Sequence, residues 1–522
     1  MKNISFIKSI FLVLLFAGFF SACSEDALDK VNFDPNHPHD VPAKFILTDA
    51  MTSTAFNVVG GDIDLYASIY IEHEAGVWNQ QYNAETRLGE PTSATTYNNV
   101  WSYGIYPNIK ELKEVINKTS AGGTEEGNNL SGGIAKILLA YNAAILTDFF
   151  GDAPFSQTGI MNDNGTPKYM QPEIDKQADI YQQIQSLLDD AITQIPQGDK
   201  NQFYGAIGSQ DLIYGGRGSS WIKAAYGLKA RYLMHTLFRS TNVNGDLKKI
   251  LDCVSNSFGS ADEEFKFDQY DGESNLNPLF GFSYSRDGLG LSHSLAQKFK
   301  DTDDPRGDQC FMDYDFNPIS LDDALDQGVP NGNPIQVQYE YPISIVEYGP
   351  YAATQLLSYH ELMFLKAEAE ARLGNTTDAG TALQSAIEAA FTNLQISLEG
   401  TDDYWGLGLG TDLSQSVADD YFTNSVLPRF NANPLKEIML QKYLAFFGAS
   451  GESGEAYNDY RRLNAMGANY VTLENPKNAQ GKFPLRYSYG ADDVTANSNV
   501  KAAYGDGSYV YSEKVWWAGG TR

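Results

Sequence analysis

Among the side chains that carry most enzyme chemistry, histidine is scarce. His37, His39, His73, His235, His293 and His360 are the whole set in 522 residues. None falls in His-x-x-x-His or His-Glu-x-x-His spacing and no thiol pair accompanies them, so a zinc centre is not expected. No serine sits in a Gly-x-Ser-x-Gly elbow, and the run from Gly215 to Gly218 lacks the lysine and spacing of a phosphate loop. Two acidic turns invite calcium, 162–165 and 301–306. In the second, Pro305 and Arg306 stand where a calcium loop needs a ligand and a glycine, and both turns read as solvated. A glycosidase needs two carboxylates at fixed separation, and 66 acidic residues always offer a pair, so their presence selects nothing. No catalytic residue, metal ligand or cofactor is assigned. The chain is instead rich in groups that bind: aromatics make up 13%, with 32 Tyr and 6 Trp. Tyr and Trp offer a flat apolar face with a polar tip, suited to stacking on pyranose rings, although most of them must serve the core. The binding candidates are Trp78, Asn79 and Tyr82, then Tyr284 and Arg286, then Trp405. Each pairs an aromatic face or planar donor with an expected loop position. Beside Gly406 and Gly408, Trp405 is expected on a glycine-rich tip with few partners to pack on.

Such residues need a frame, and helical periodicity supplies it. Ile180, Ile184, Leu187, Leu188 and Ala191 recur at helical spacing over 179–192. Ser219 or Ser220 is expected to cap a helix in which Trp221, Ala225, Leu228 and Tyr232 share one face, with Lys223 opposite. Asn433 and Pro434 open another that stops by Gly448. From Tyr359 to Phe391 a helix ending at Gly374 meets a short turn and a second helix over 378–391. Ala367, Ala371, Ala379, Ala382 and Ala386 let the two approach closely, as in a tetratricopeptide pair. One pair cannot bury its faces alone, so helices near 131–147, 179–192 and 217–239 are expected to stack with it. Between them lie long Gly-, Asn-, Asp- and aromatic-rich excursions near 72–98, 151–172, 257–350, 395–412 and 466–522, read as one irregular subdomain with a short strand over 337–346.

Residues 1–22 have the parts of an export leader: Lys2 and Lys8, an apolar run from Ile10 to Phe20, then Ser21 and Ala22. Phe20 to Cys23 looks like a bacterial lipobox, so the leader is expected to be removed and Cys23 acylated. Ser24 to Asp29 then forms an acidic tether, and Asn32 to Asp40 an extended arm. The formal charge of −29, reaching −31 once Lys2 and Lys8 are lost, opposes binding of nucleic acid and favours a neutral or cationic ligand. Cys253 and Cys310 fit one bridge or two buried thiols equally well.

Six separate pieces, in order, resemble the SusD/RagB family of nutrient-binding outer-membrane lipoproteins along nearly all of the mature chain: Asn32 to Asn36; Thr147 to Ser156 (TDFFGDAPFS); Trp221 to Ala224 with Lys229 to Tyr232; Asp303 to Arg306; Gln441 to Tyr443 with Glu455 to Arg462; and Trp516 with Trp517. A departure lies near Arg486, where Tyr489, Gly490, Asp493 and Asn497 replace the usual sequence. Arg461, Arg462 and Arg486 are read as structural clamps paired with carboxylates. The resemblance implies a mostly α fold: about four tetratricopeptide-like pairs form a scaffold, with a loop-rich subdomain carrying few short strands, in a single domain over 41–522. It also implies non-catalytic capture of a nutrient, foremost an oligosaccharide, and its delivery to a SusC-like TonB-dependent transporter. The protein would face the cell exterior, held in outer-membrane lipid through Cys23. Peptides or another nutrient are alternative ligands, and a secreted glycan hydrolase is the less favoured reading. Ligand contacts vary too widely across the family to be carried over by motif.

Overall fold

A computed structural model describes residues 41–162 and 165–522, with Tyr348 described by its backbone alone. The leader, Cys23, the tether and the arm lie outside the described residues, as do Asp163 and Asn164 of the first acidic turn.

The fold is mostly helical. The helices that matter for the site and its support are α1 (Ala43–Ser53), α2 (Asn79–Thr86), α3 (Tyr106–Thr119), α4 (Asn129–Phe150), α5 (Gln177–Gln194), α6 (Gly218–His235), α7 (Val243–Ser255), α8 (Pro278–Arg286), α9 (Tyr359–Leu373), α10 (Thr376–Trp405), α11 (Pro434–Ala445) and α12 (Ser453–Ala465). Among the described residues six short strands accompany them: β1 (Glu74–Gly76), β2 (Phe265–Phe267), β3 (Leu289–Leu291), β4 (Phe311–Met312), β5 (Ile343–Ser344) and β6 (Thr354–Leu357). They form three antiparallel two-stranded sheets, with Glu74 opposite Leu291, Phe265 opposite Leu357 and Phe311 opposite Ser344. The strand expected over 337–346 contracts to the two residues of β5.

Helix packing follows sequence order: α3 lies on α4, α4 on α5, α6 on α7 and α9 on α10. At the centre runs α4, long and apolar enough to span a membrane but buried in protein along nearly its whole length. Its glycines explain the fit. A Cβ on Gly132 would stand 2.6 Å from Thr119 Oγ1, and one on Gly133 would stand 2.3 Å from Ile195. In α5 most of the expected face is inside, with Ile180, Ile184, Leu188 and Ala191 buried and Leu187 half-buried at its edge. Ser358 caps α9 by accepting from Glu361 N, and Gly374 ends it at φ +86°. Ala367, Ala379, Ala382 and Ala386 lie buried along the α9–α10 pair, while Ala371 is only half-buried at its open end.

Two local expectations change and one holds. Neither Ser219 nor Ser220 caps α6, which begins at Gly218 and takes both serines into its first turn. Asn433 does cap α11, accepting from Lys436 N at 3.2 Å. Most consequential, α10 runs on to Trp405 instead of stopping near Phe391. Gly400, at a cost of about 1 kcal/mol relative to alanine, is the weakest helix former in that extension, and Leu398 and Thr401 give it a buried face. Residues 395–405 are therefore helix, not loop.

The pieces that carry the family resemblance meet in the core. Asp148, near the end of α4, accepts from Trp517 Nε1 at 2.8 Å and from the Tyr181 hydroxyl. Arg461 donates to the carbonyls of Asp148 (2.8 Å) and Leu485 (3.1 Å). Arg486 donates to the Phe150 carbonyl and packs where a Cβ on Gly151 would lie 2.6 Å from its guanidinium. These two arginines clamp carbonyls, not the carboxylates expected, because the last turn of α4 leaves its carbonyls without helical donors. Arg462 does pair with carboxylates, those of Glu368 and Asp459. Asp304 accepts from Arg306 N at 3.0 Å and pairs with its guanidinium, and both are buried, so the 301–306 turn is solvated at Asp301 and Asp303 but not at Asp304 and Arg306. Cys253 and Cys310 are two separate buried thiols.

Candidate functional site

Asn277 starts the site. Its side chain accepts from Leu279 N and Phe280 N while its amide donates to the carbonyls of Ala352 and Ala449, which fixes the entry of α8 against two other segments. Pro278 follows as the first helical residue. Phe280 and Tyr284, one helical turn apart, then fall on one face and stack at 5.5 Å and 19°. Phe280 is 1% exposed and Tyr284 58%, so the stack climbs from core to surface.

Trp405 arrives from the far side as the last residue of α10, with Gly406 closing the helix in the left-handed region. Its ring lies 5.7 Å from Tyr284, 5.1 Å from Phe316 and 4.9 Å from Tyr404. Tyr404 in turn meets Tyr351 at 5.8 Å. Close by in the chain, Tyr339 donates its N–H to Asp287 at 2.5 Å and packs on Tyr314 at 4.9 Å, while Gln338 donates to the Arg286 carbonyl. The result is an aromatic platform of linked rings from Phe280 to Tyr351, with the Tyr314–Tyr339 pair tied to its border through Asp287. Tyr284, Tyr339, Tyr351 and Tyr404 are all 40% exposed or more. Scattered apolar exposure is ordinary, but contiguous exposed rings mark a contact surface.

Sequence reasoning selected Tyr284, Arg286 and Trp405, and the structure brings these segments together. The view of Trp405 as a lone tip is corrected: four aromatic neighbours hold it, because the helix beneath it continues. Arg286 is exposed beside the platform and makes no ion pair among the described residues. Trp78, Asn79 and Tyr82 belong to a different piece. Trp78 precedes α2 as its N-cap, half-buried, with Asn79 exposed at φ +50° and Tyr82 half-buried. Val77 donates to the Gly288 carbonyl at 2.8 Å and accepts from Val337 N, so this backbone borders the platform's segments. Among the described residues no ring contact joins Trp78 or Tyr82 to the Tyr284–Trp405 group. Missed by sequence reasoning were Phe280, Tyr314, Phe316, Tyr339, Tyr351 and Tyr404. The four-residue spacing of Phe280 and Tyr284 was the available signal.

Of the other buried ionisable groups among the described residues, two clusters bear on possible chemistry. His235 sits between Asp148, 3.2 Å from Nδ1, and Glu455, 2.9 Å from Nε2. Burial alone would lower its pKa, but the two carboxylates outweigh it and hold it up at about 9. These three residues have ligand atoms close enough for a metal. Yet each ring nitrogen already faces a carboxylate, the arrangement of an imidazolium, which has no lone pair to give. Glu74 and Glu347 form the second cluster. Both are buried; burial pushes Glu347 up to about 7, and burial together with the charge of Glu347 pushes Glu74 up as well.

Comparison with known proteins places the fold. A sequence model of a SusD-like family described as "Starch-binding associating with outer membrane" matches residues 35–490. A SusD/RagB family protein of Bacteroides thetaiotaomicron is 46% identical, with a TM-score of 0.87 over 92% of this chain and 100% of its own. A chitin-binding protein is 22% identical, with a TM-score of 0.66 over 90% of this chain and 99% of its own. A SusD homolog of Bacteroides fragilis is 16% identical, with a TM-score of 0.67 over 92% and 100%. No curated protein matches. The 46% identity over an entire solved chain, with the family match across most of this one, settles the assignment: the chain belongs to the SusD-like family.

Proposed function

We propose that this protein binds an oligosaccharide on the aromatic platform at the outside of the cell, leaves it chemically unchanged, and passes it to a SusC-like TonB-dependent transporter. Acyl chains on Cys23 hold it in the outer membrane. The observation that carries the binding reading is the exposed stack of Tyr284 on Phe280 with Trp405 beside it. Its ring faces suit pyranoses, and it stands on a helix and a helix terminus rather than on a mobile tip. Family membership supports the surface location and the transporter partner. Calorimetric titration of the mature protein with a panel of neutral and charged oligosaccharides tests the reading. Binding that is lost in Tyr284→Ala, with no new reducing ends over hours, is expected. Release of reducing ends at an enzymatic rate, abolished by one carboxylate substitution, would show a hydrolase instead.

A further inference from the structure

We propose that the platform selects amine-bearing oligosaccharides, those with free glucosamine-type ammonium groups, over anionic ones; this rests on the glycan reading above. The aromatic rings come from 268–287, 313–317, 339–351 and 399–410. Those stretches hold eleven acidic residues, of which seven are exposed and two, Asp287 and Glu347, are buried, against one cationic residue, Arg286. The excess is local to the rings. Asp315 precedes Phe316 and Asp403 precedes Tyr404 and Trp405, and both carboxylates are exposed. Asp271 and Glu273 flank Gly272, whose missing Cβ leaves room for the Tyr351 ring at 2.3 Å from where it would stand. Both of those are exposed as well.

Two physical terms then act in the same direction. Aromatic faces carry negative quadrupoles that attract a cation held over them, and a surface lined by one sign of charge raises the local concentration of the opposite sign. An ammonium on C2 of a stacked sugar projects past the aromatic face, whose own edge is electropositive, so the surrounding carboxylates supply most of its attraction. The ring faces attract an ammonium of a neighbouring sugar residue that lies over them. A uronate or sulfate in the same place meets repulsion from several exposed carboxylates, with Arg286 and, in the recess beside Tyr351, Lys266 to answer them. Exposed charge pairs are individually weak, but a few acting together amount to roughly tenfold in affinity at low salt.

The test is calorimetry on the mature chain with three probes of equal length: a glucosamine hexamer, an N-acetylglucosamine hexamer and a galacturonate hexamer, at mildly acidic pH. The glucosamine hexamer is expected to bind roughly tenfold more tightly than the galacturonate hexamer, with the gap closing as salt shortens the screening length to about 3 Å at 1 M. The double variant Asp315→Asn, Asp403→Asn is expected to narrow the gap about threefold with its unfolding curve in place. Equal or tighter binding of the galacturonate hexamer, or a gap that salt does not change, overturns the proposal. Binding of the N-acetylated hexamer with rejection of the amine keeps the glycan reading and removes this one. Failure of all three probes on folded protein removes both.

Discussion

Tyr284→Ala separates recognition from stability better than any other substitution on the platform. More than half of the Tyr284 side chain faces solvent, and its protein contacts are the Phe280 ring beneath and the Trp405 ring beside it. An aromatic pair contributes about 0.5–1.5 kcal/mol beyond its area, so with partial burial the expected loss of stability is about 1 kcal/mol. In a domain this large that moves the melting temperature by no more than about 2–4 °C. Binding should respond far more strongly. A ring at the centre of a recognition surface commonly contributes 2 kcal/mol or more, which is roughly 30-fold in Kd. Trp405→Ala serves as the contrast, since four rings lean on it: its affinity and its melting temperature should both fall, the latter by the equivalent of about 2–3 kcal/mol. The assay is calorimetric titration with the tightest-binding glycan, paired with thermal unfolding of the same preparations. Unchanged affinity in Tyr284→Ala would refute the assignment of the platform, whatever Trp405→Ala does.

Cys23→Ala is expected to release the protein from the membrane fraction; a variant that still sediments with outer membrane in cells lacking the transporter would refute the lipid anchor. Ala367→Phe should lower stability by about 1–3 kcal/mol, because Ala367 has no exposed surface beside α10, and an unchanged melting curve would count against that packing. Since the His235 pKa is raised in the folded state to about 9, its contribution is complete below about pH 6.5 and is lost as pH rises toward and through 9. Chemical unfolding at stepped pH should show stability declining over that window, less steeply in His235→Gln; identical slopes would refute the charged His235. Trp78→Ala should weaken glycan binding less than Tyr284→Ala, since Trp78 stands outside the ring cluster, and the reverse order would move the binding centre toward α2.

Much of the scaffold was legible because its signals are local. The α9–α10 alanines and the Asn433–Pro434 start of α11 can each be read within a few turns of chain, and each appears in the structure. The errors arose where a local signal competed with a tertiary one. Gly400 and the glycines after Trp405 suggested a loop, but the buried face formed by Leu398 and Thr401 carries α10 past Gly400. Arg461 and Arg486 looked like partners for carboxylates because sequence spacing cannot show a helix end. The carbonyls of Asp148 and Phe150 that they meet lie more than 300 residues away.

The platform itself was legible only as single residues, and its backbone shows why. Seven non-glycine residues have left-handed φ among the described residues, and three of them, Asp287 (+44°), Phe316 (+65°) and Tyr339 (+62°), belong to this site. For an aromatic residue that conformation is unfavourable and no propensity would predict it. It persists when surrounding contacts outweigh it. Here Phe316 donates its N–H to the Asp313 carbonyl and meets Trp405, while Tyr339 donates to Asp287 and meets Tyr314. The rings are therefore placed by contacts between distant segments, which no single window of sequence contains. Holding them in place before a ligand arrives reduces the ordering cost of binding. Phe316→Gly, which removes both the ring and the strained φ, should consequently raise stability at the backbone while loosening Trp405. The expected result is a melting temperature within a few degrees of the parent and a Kd weaker by about three- to tenfold. A parent-like Kd would mean that the strain at 316 serves the fold alone.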